Sequence, residues 1–233
     1  MKHYDKIIRG NPIGKQERIK LFRIWAFFLI LALLFVSFAH AQNQYKADSG
    51  TDAYIAEIKE INPQLTTNEV SGEAVFNVAD GKLNITLAVK GVAPNLMHLQ
   101  HIHGFIGGGA GTFPPAKADT NGDGIIDLLE IHEYTGKTLI PFNGAPIDLE
   151  IKSDSYPVAN KDGLLTYQIS VPLDKLKAAV KEQYGVDKLA LEDRVIFIHG
   201  IPEGKTLPDS VQSLPGVPAH ITVPIACGII KAL

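Results

Sequence analysis

From Ala53 onward, short runs of apolar residues alternate with polar ones and are cut by turn residues, a two-residue period that restricts the chain to a mainly antiparallel β domain. Ala74, Phe76 and Val78 share one face of a strand over residues 72–78, Asp80-Gly81 supplies a hairpin turn, and Leu83, Ile85, Leu87 and Val89 alternate in the next strand. A second hairpin is predicted from residues 147–151 and 165–171, which flank the turn-rich segment 156–163. Further strands are expected at 54–61, 97–103, 194–199 and 221–230. One helix interrupts the pattern. Leu173, Leu176, Val180 and Tyr184 recur at spacings of three and four behind Pro172, with Gly185 as the stop, so a crossover helix is predicted there. Residues 200–218 read as a long surface loop.

The first 41 residues stand apart from this pattern. Lysines and arginines precede an apolar stretch over 24–38, and Ala39-His40-Ala41 follows, which predicts a signal peptide cleaved after Ala41. The apolar stretch, about fifteen residues, is short of the about twenty a membrane-spanning helix needs. An exported protein, periplasmic or secreted, is the expectation; an uncleaved N-terminal anchor is the alternative. Residues 42–52 are polar and read as a flexible lead-in to a domain over 53–233. Cleavage removes 7 of 22 basic and 2 of 25 acidic residues, leaving 15 against 23 and a formal charge of −8. An acidic field draws in cations and disfavours nucleic acid and anionic membrane, so metal ions are the expected partners and no stable membrane insertion follows cleavage. Cys227 is the only cysteine, which excludes an intramolecular disulfide and dithiol redox chemistry. Serine-hydrolase and phosphate-loop motifs are also lacking.

Asp119 to Glu130 matches the side-chain and glycine positions of a twelve-residue calcium loop. A hard cation needs six to eight oxygens, and the ligands would be Asp119, Asn121, Asp123, the Ile125 carbonyl, Asp127 through water, and both oxygens of Glu130. Gly124 takes the sharp turn at the sixth position, and Ile126 at the eighth can pack behind the ion. The alternative is a polar turn that is acidic by composition, although such a turn gives no reason for a glutamate at position twelve. Glycines and two prolines in 105–118 exclude the entering helix of a full EF-hand, and only 128–134 can form a short exit helix.

Six histidines follow residue 41, and three crowd the segment His98-x-x-His101-x-His103-Gly104. Strand periodicity puts His101 and His103 on one face and His98 on the other, so the pair can chelate one borderline metal such as copper or zinc. His199 ends a second strand in the echo Phe197-Ile-His-Gly200, and His101, His103 and His199 are the candidate triad. Hydrogen-bonded histidines at the edge of the core are the competing account. His132 can serve as a fourth ligand or face solvent; His98 and His220 read as structural.

With these residues in view, the chain resembles copper/zinc superoxide dismutase and the exported bacterial CHRD-like (chordin-domain) proteins. Met97 to Gly104 is similar to the dismutase His-x-x-His-x-His strand, Arg194 to His199 to its later copper-histidine strand, and Ala226-Cys-Gly-Ile-Ile230 to its closing strand. The resemblance implies a Greek-key, immunoglobulin-like or superoxide-dismutase-like β-sandwich over most of 53–233, with one crossover helix and an inserted calcium loop. It implies copper ligation by His101, His103 and His199 and a structural role for His98. The chain departs from the enzymes in having no histidine between His103 and His132 to bridge a second metal. Cys227 has no partner for the family disulfide, and Pro224 stands where the dismutases carry their anion-guiding arginine.

The expectation is therefore an exported metal-binding β protein without catalytic residues, holding calcium in 119–130 and copper or zinc at the histidine rim. Two alternatives remain: a copper-dependent dismutase-like oxidoreductase, and an adhesion or matrix-binding module stiffened by calcium.

Overall fold

The computed structural model describes residues 52–233, so the signal peptide over 1–41 and the lead-in up to residue 51 lie outside the described residues. Eight strands form one antiparallel sheet that curls into a half-barrel: β1 (Asp52–Glu60), β2 (Ser71–Ala79), β3 (Lys82–Lys90), β4 (Gln100–Gly104), β5 (Lys137–Pro141), β6 (Leu164–Pro172), β7 (Val195–His199) and β8 (Pro224–Ala232). Their order across the sheet is β5-β4-β7-β8-β1-β2-β3-β6. No helix of the described residues is long and apolar enough to cross a membrane.

The β2–β3 hairpin forms as its alternation dictates. Asp80 and Gly81 take φ of 52° and 71°, the paired left-handed conformation whose twist matches the flanking strands. Leu83, Ile85, Leu87 and Val89 are buried together with Ala74 and Phe76. The predicted second hairpin does not form. Pro146–Asp148 make a single 3-10 turn and Leu149 adopts φ 53°, a break that no strand accommodates. β6 pairs instead with β3 along its whole length, matching Leu165, Tyr167, Ile169 and Val171 to Val89, Leu87, Ile85 and Leu83.

Several boundaries also move. β4 starts at Gln100 rather than Met97, and Met97 makes only an isolated bridge to Val158. The strand expected from residue 221 begins at Pro224, after a one-turn helix over Ala219–Thr222. The exit helix expected over 128–134 is reduced to one turn, α1 (His132–Thr135). The predicted crossover helix is present as α2 (Leu173–Tyr184). It buries Leu176 and Val180 and ends where Gly185, at φ 71°, donates its N–H to the Lys181 carbonyl.

The sheet is covered on both faces at β4 and β7, next to its β5 edge, since every residue of these two strands is buried. Ile102, Ile196 and Ile198 join the main core with Phe76, Ile85 and Leu165. On the opposite face Val195 and Phe197 pack with Ile61, Ile131 and Cys227, against Phe113 and against Ile126 and Leu128 from the inserted loop. Gly104 is required where β4 ends, because a Cβ there would run into the Arg194 guanidinium. That buried guanidinium donates to the Leu189 carbonyl at 2.9 Å and the Phe105 carbonyl at 3.0 Å.

Candidate metal centre

Register determines where the histidines point. His101 lies opposite Phe197 and His103 opposite Val195, so both project from the face that carries Phe197. The β7–β8 pairing slips between Ile198 and His199, and the β4–β5 pairing slips between Ile102 and His103; such irregularities re-aim side chains locally. The result is convergence. One ligand atom from each of His101, His103 and His199 lies within 4.8 Å of the others. Among the described residues this is the one group of three or more His, Cys, Asp or Glu side chains that meets at metal-binding distance. His98 faces away and fastens the backbone, its ring nitrogens lying 3.0 Å from the Ala93 and His199 carbonyls.

The three imidazoles are 3, 2 and 1 % exposed, yet most of their nitrogens lack hydrogen-bond partners. Both nitrogens of His101, Nδ1 of His103 and Nε2 of His199 are unpaired. His199 donates from Nδ1 to the Thr222 carbonyl at 2.7 Å, which leaves Nε2 as a bare lone pair. Thr138 Oγ1 lies 3.3 Å from Nε2 of His103. Burial disfavours the imidazolium form. It holds His199 down to about 4, against the pull of the Thr222 carbonyl, and His103 down to about 3, with the charge of His199 adding to the effect. Burial also pushes His101 well below its ordinary range, and His199 and His103 lower it further. Neutral imidazole is the form that ligates, and a buried nitrogen without a partner costs about 1–3 kcal/mol. An ion bound to one nitrogen of each ring relieves that cost at three positions, so this donor set can hold a metal ion.

A cavity of about 210 Å³ opens over the triad. Leu128, Leu129 and Ile131 from the end of the inserted loop line it together with Leu99, Ile151 and Leu214. His132 reaches it only as an exposed rim residue, while His220 is not among its lining groups.

The segment 119–130 closes on itself. Asp119 accepts the N–H groups of Gly122 at 2.8 Å and Gly124 at 2.8 Å, and Asn121 Oδ1 accepts that of Asp123 at 2.9 Å. Asp123 Oδ1 accepts Ile125 N–H at 2.8 Å. Its Oδ2 takes the Ser210 hydroxyl at 2.5 Å, the bond that does most to lower its carboxyl below the usual range. Glu130 reaches from the last position to Thr120 N–H at 2.7 Å and Asp127 N–H at 3.0 Å, joining the two ends of the loop. Gly124 has φ 85°, a conformation open to glycine at little cost. Thus Asp119, Asn121, Asp123, Asp127 and Glu130 lie in one hydrogen-bonded loop, with side-chain oxygens turned toward its own N–H groups and, for Asp123 and Asp127, also toward Ser210 and Gln212; its carboxylates do not meet at metal-binding distance.

Residues without a sequence signal hold this loop in place. Asn62 donates to the Ile126 carbonyl at 2.9 Å and accepts the Ile126 N–H at 2.9 Å, pairing the backbone of the eighth position as a neighbouring strand would. Asp127, fully buried, accepts the Gln212 N–H at 2.7 Å. Thr222, Gln212 and Ser210 act through backbone groups or a surface hydroxyl, which no motif marks. Cys227 is a buried free thiol, and burial pushes its pKa up. Compared with known proteins, the chain matches no family model and no curated protein.

Proposed function

We propose that this chain is an exported metal-binding β protein that holds one copper or zinc ion on His101, His103 and His199 and calcium in the 119–130 loop, without catalysing a reaction. The observation that carries it is the meeting of three buried imidazoles, each with an unpaired ring nitrogen, within 4.8 Å. Such an ion supplies a fixed positive charge and Lewis acidity at the floor of the cavity. The residues supply neutral lone pairs, orientation through Thr222 and Thr138, and apolar walls that keep bulk water away.

The calcium reading draws on the complete loop pattern and on the glycine geometry at position six. Four acidic side chains without a paired hand suit the weak extracellular range of affinity, about 10⁻⁴ to 10⁻³ M. We take the architecture to be a Greek-key sandwich of the superoxide-dismutase and CHRD-like type. The main core joins the inner faces of β4 and β7 to those of β2, β3 and β6, as two facing layers would. The three segments that carry the resemblance lie on β4, β7 and β8, which are adjacent in the sheet.

The test is elemental analysis of the purified protein followed by calorimetry with zinc, copper and calcium. Stoichiometric transition metal lost in a His101→Ala/His103→Ala/His199→Ala variant is expected, as is calcium binding weakened at least tenfold by Glu130→Gln. Zinc and copper binding unchanged in the triple variant rejects the histidine site, and calcium binding unchanged by Glu130→Gln rejects the loop. A dismutase-like oxidoreductase is the second reading, favoured by the cavity that gives the triad access from outside. The acidic chain and Pro224 at the position of the guiding arginine count against it. Copper-loaded protein that consumes superoxide no faster than the triple variant ends it.

A further inference from the structure

The cavity over the triad has a polar floor and apolar walls. Leu129 and Leu214 line it while remaining 49 % and 48 % exposed, so its opening is apolar on two sides. An apolar body covers these two exposed leucines favourably. At the floor, the bare Nε2 of His199 accepts a hydrogen bond, and neutral His101, with neither ring nitrogen paired, offers one further acceptor and one donor. A volume of about 210 Å³ falls below the roughly 300–1,000 Å³ of pockets for drug-sized molecules, which limits an occupant to a single ring. Lys137 and the exposed His132 also line the cavity, and its floor presents neutral imidazole nitrogens with free lone pairs, so the polar end of the occupant is a hydrogen-bond donor.

We propose that this cavity binds a single-ring phenol, with the ring against Leu128, Leu129, Ile131 and Leu214 and the hydroxyl on the imidazole face. In metal-free protein the hydroxyl hydrogen is donated to a bare imidazole nitrogen; in metal-loaded protein its oxygen is a ligand. The inference goes beyond the metal reading and stands on the unpaired nitrogens and the apolar walls in either form.

The experiment is calorimetric titration of the purified protein, chelator-treated and zinc-loaded, with phenol, with toluene as a ring without a hydroxyl, and with methanol as a hydroxyl without a ring. Phenol is expected to bind about tenfold more tightly than either control, the worth of one satisfied buried group, and to shift the imidazole ¹⁵N resonances. A Leu129→Ser/Leu214→Ser variant, altered only at exposed positions, is expected to lose about tenfold in phenol affinity and to keep its zinc affinity. Toluene matching phenol, absence of saturable phenol binding, or full phenol affinity in the double variant overturns the proposal. Failure of zinc to bind while the phenol results hold overturns the metal reading and leaves this one standing.

Discussion

His199 donates its Nδ1–H to the carbonyl of Thr222 at 2.7 Å, and that bond decides which nitrogen the ring presents to His101 and His103. The support continues outward. Thr222 Oγ1 lies 2.7 Å from Ser213 Oγ, and the neighbouring Gln212 gives its N–H to Asp127 at 2.7 Å. A position of the inserted loop and a member of the histidine cluster therefore lean on one short strap, residues 212–222. Two sites sharing a rigid support are coupled reciprocally when either orders it.

Asp127→Asn tests that strap. The buried carboxylate accepts N–H groups from Leu129 at 2.8 Å, Glu130 at 3.1 Å and Gln212 at 2.7 Å, and a carboxamide turns one acceptor into a donor facing donors. Chemical denaturation is expected to show a loss of about 1–3 kcal/mol. Zinc affinity at the triad is expected to fall as well, since the segment behind Thr222 loosens. A full loss of stability with zinc affinity unchanged contradicts the shared support.

Acid sensitivity follows from the neutral imidazoles. Their folded-state values lie below 6.5, at about 4 for His199 and about 3 for His103, so the unfolded chain takes up protons first as the pH drops. The associated stability is complete above about 6.5 and is lost as the pH falls from there toward 4 and then 3. Chelator-treated protein is expected to lose up to about 1.4 kcal/mol per pH unit for each imidazole over that window. Urea midpoints measured between pH 7 and 4 check this. His199→Gln is expected to flatten the slope; an unchanged slope means that the ring is solvated in the folded state.

The elements legible in the sequence are those whose information is local. The β2–β3 hairpin carries its alternation and its Asp80-Gly81 turn within twenty residues, and α2 carries its apolar stripe and its Gly185 stop in the same way. The partner of β6 was not legible, because pairing Leu165 with Val89 joins residues far apart in the chain. β5 is five residues long and ends in proline, too short to show a period. At the histidine cluster the two-residue period was enough to pair His101 with His103. His199 entered through the echo Phe197-Ile-His-Gly200 at a strand end, but its approach to the pair depends on the β4–β7 register, and the support by Thr222 uses a carbonyl that any residue at that position offers.

Gly104→Ala is expected to cost more than a surface glycine replacement. The added methyl meets the Arg194 side chain, which is buried and fixed by the Leu189 and Phe105 carbonyls. Overpacking of this kind costs about 1–3 kcal/mol. Gly204→Ala, at a position where a Cβ meets nothing within 4 Å, is the control and is expected to leave the thermal midpoint unchanged.

Asn62 gives the sharpest test of how the inserted loop is held. Its side chain donates to the Ile126 and Pro224 carbonyls, each at 2.9 Å, and accepts the Ile126 N–H at 2.9 Å; its backbone sits at φ 56°, which asparagine tolerates better than most residues. Asn62→Ala removes the clamp and adds backbone strain, whereas Asn62→Gly removes the clamp alone. Both variants are expected to lose about 1–3 kcal/mol from the unpaired groups, with alanine the worse of the two. In both, hydrogen exchange at Ile126 is expected to accelerate while the β2–β3 hairpin keeps its protection. Protection of Ile126 that survives in Asn62→Gly means that the loop is anchored by Asp123 to Ser210 and Asp127 to Gln212 alone, and the strand-like pairing at its eighth position is then dispensable.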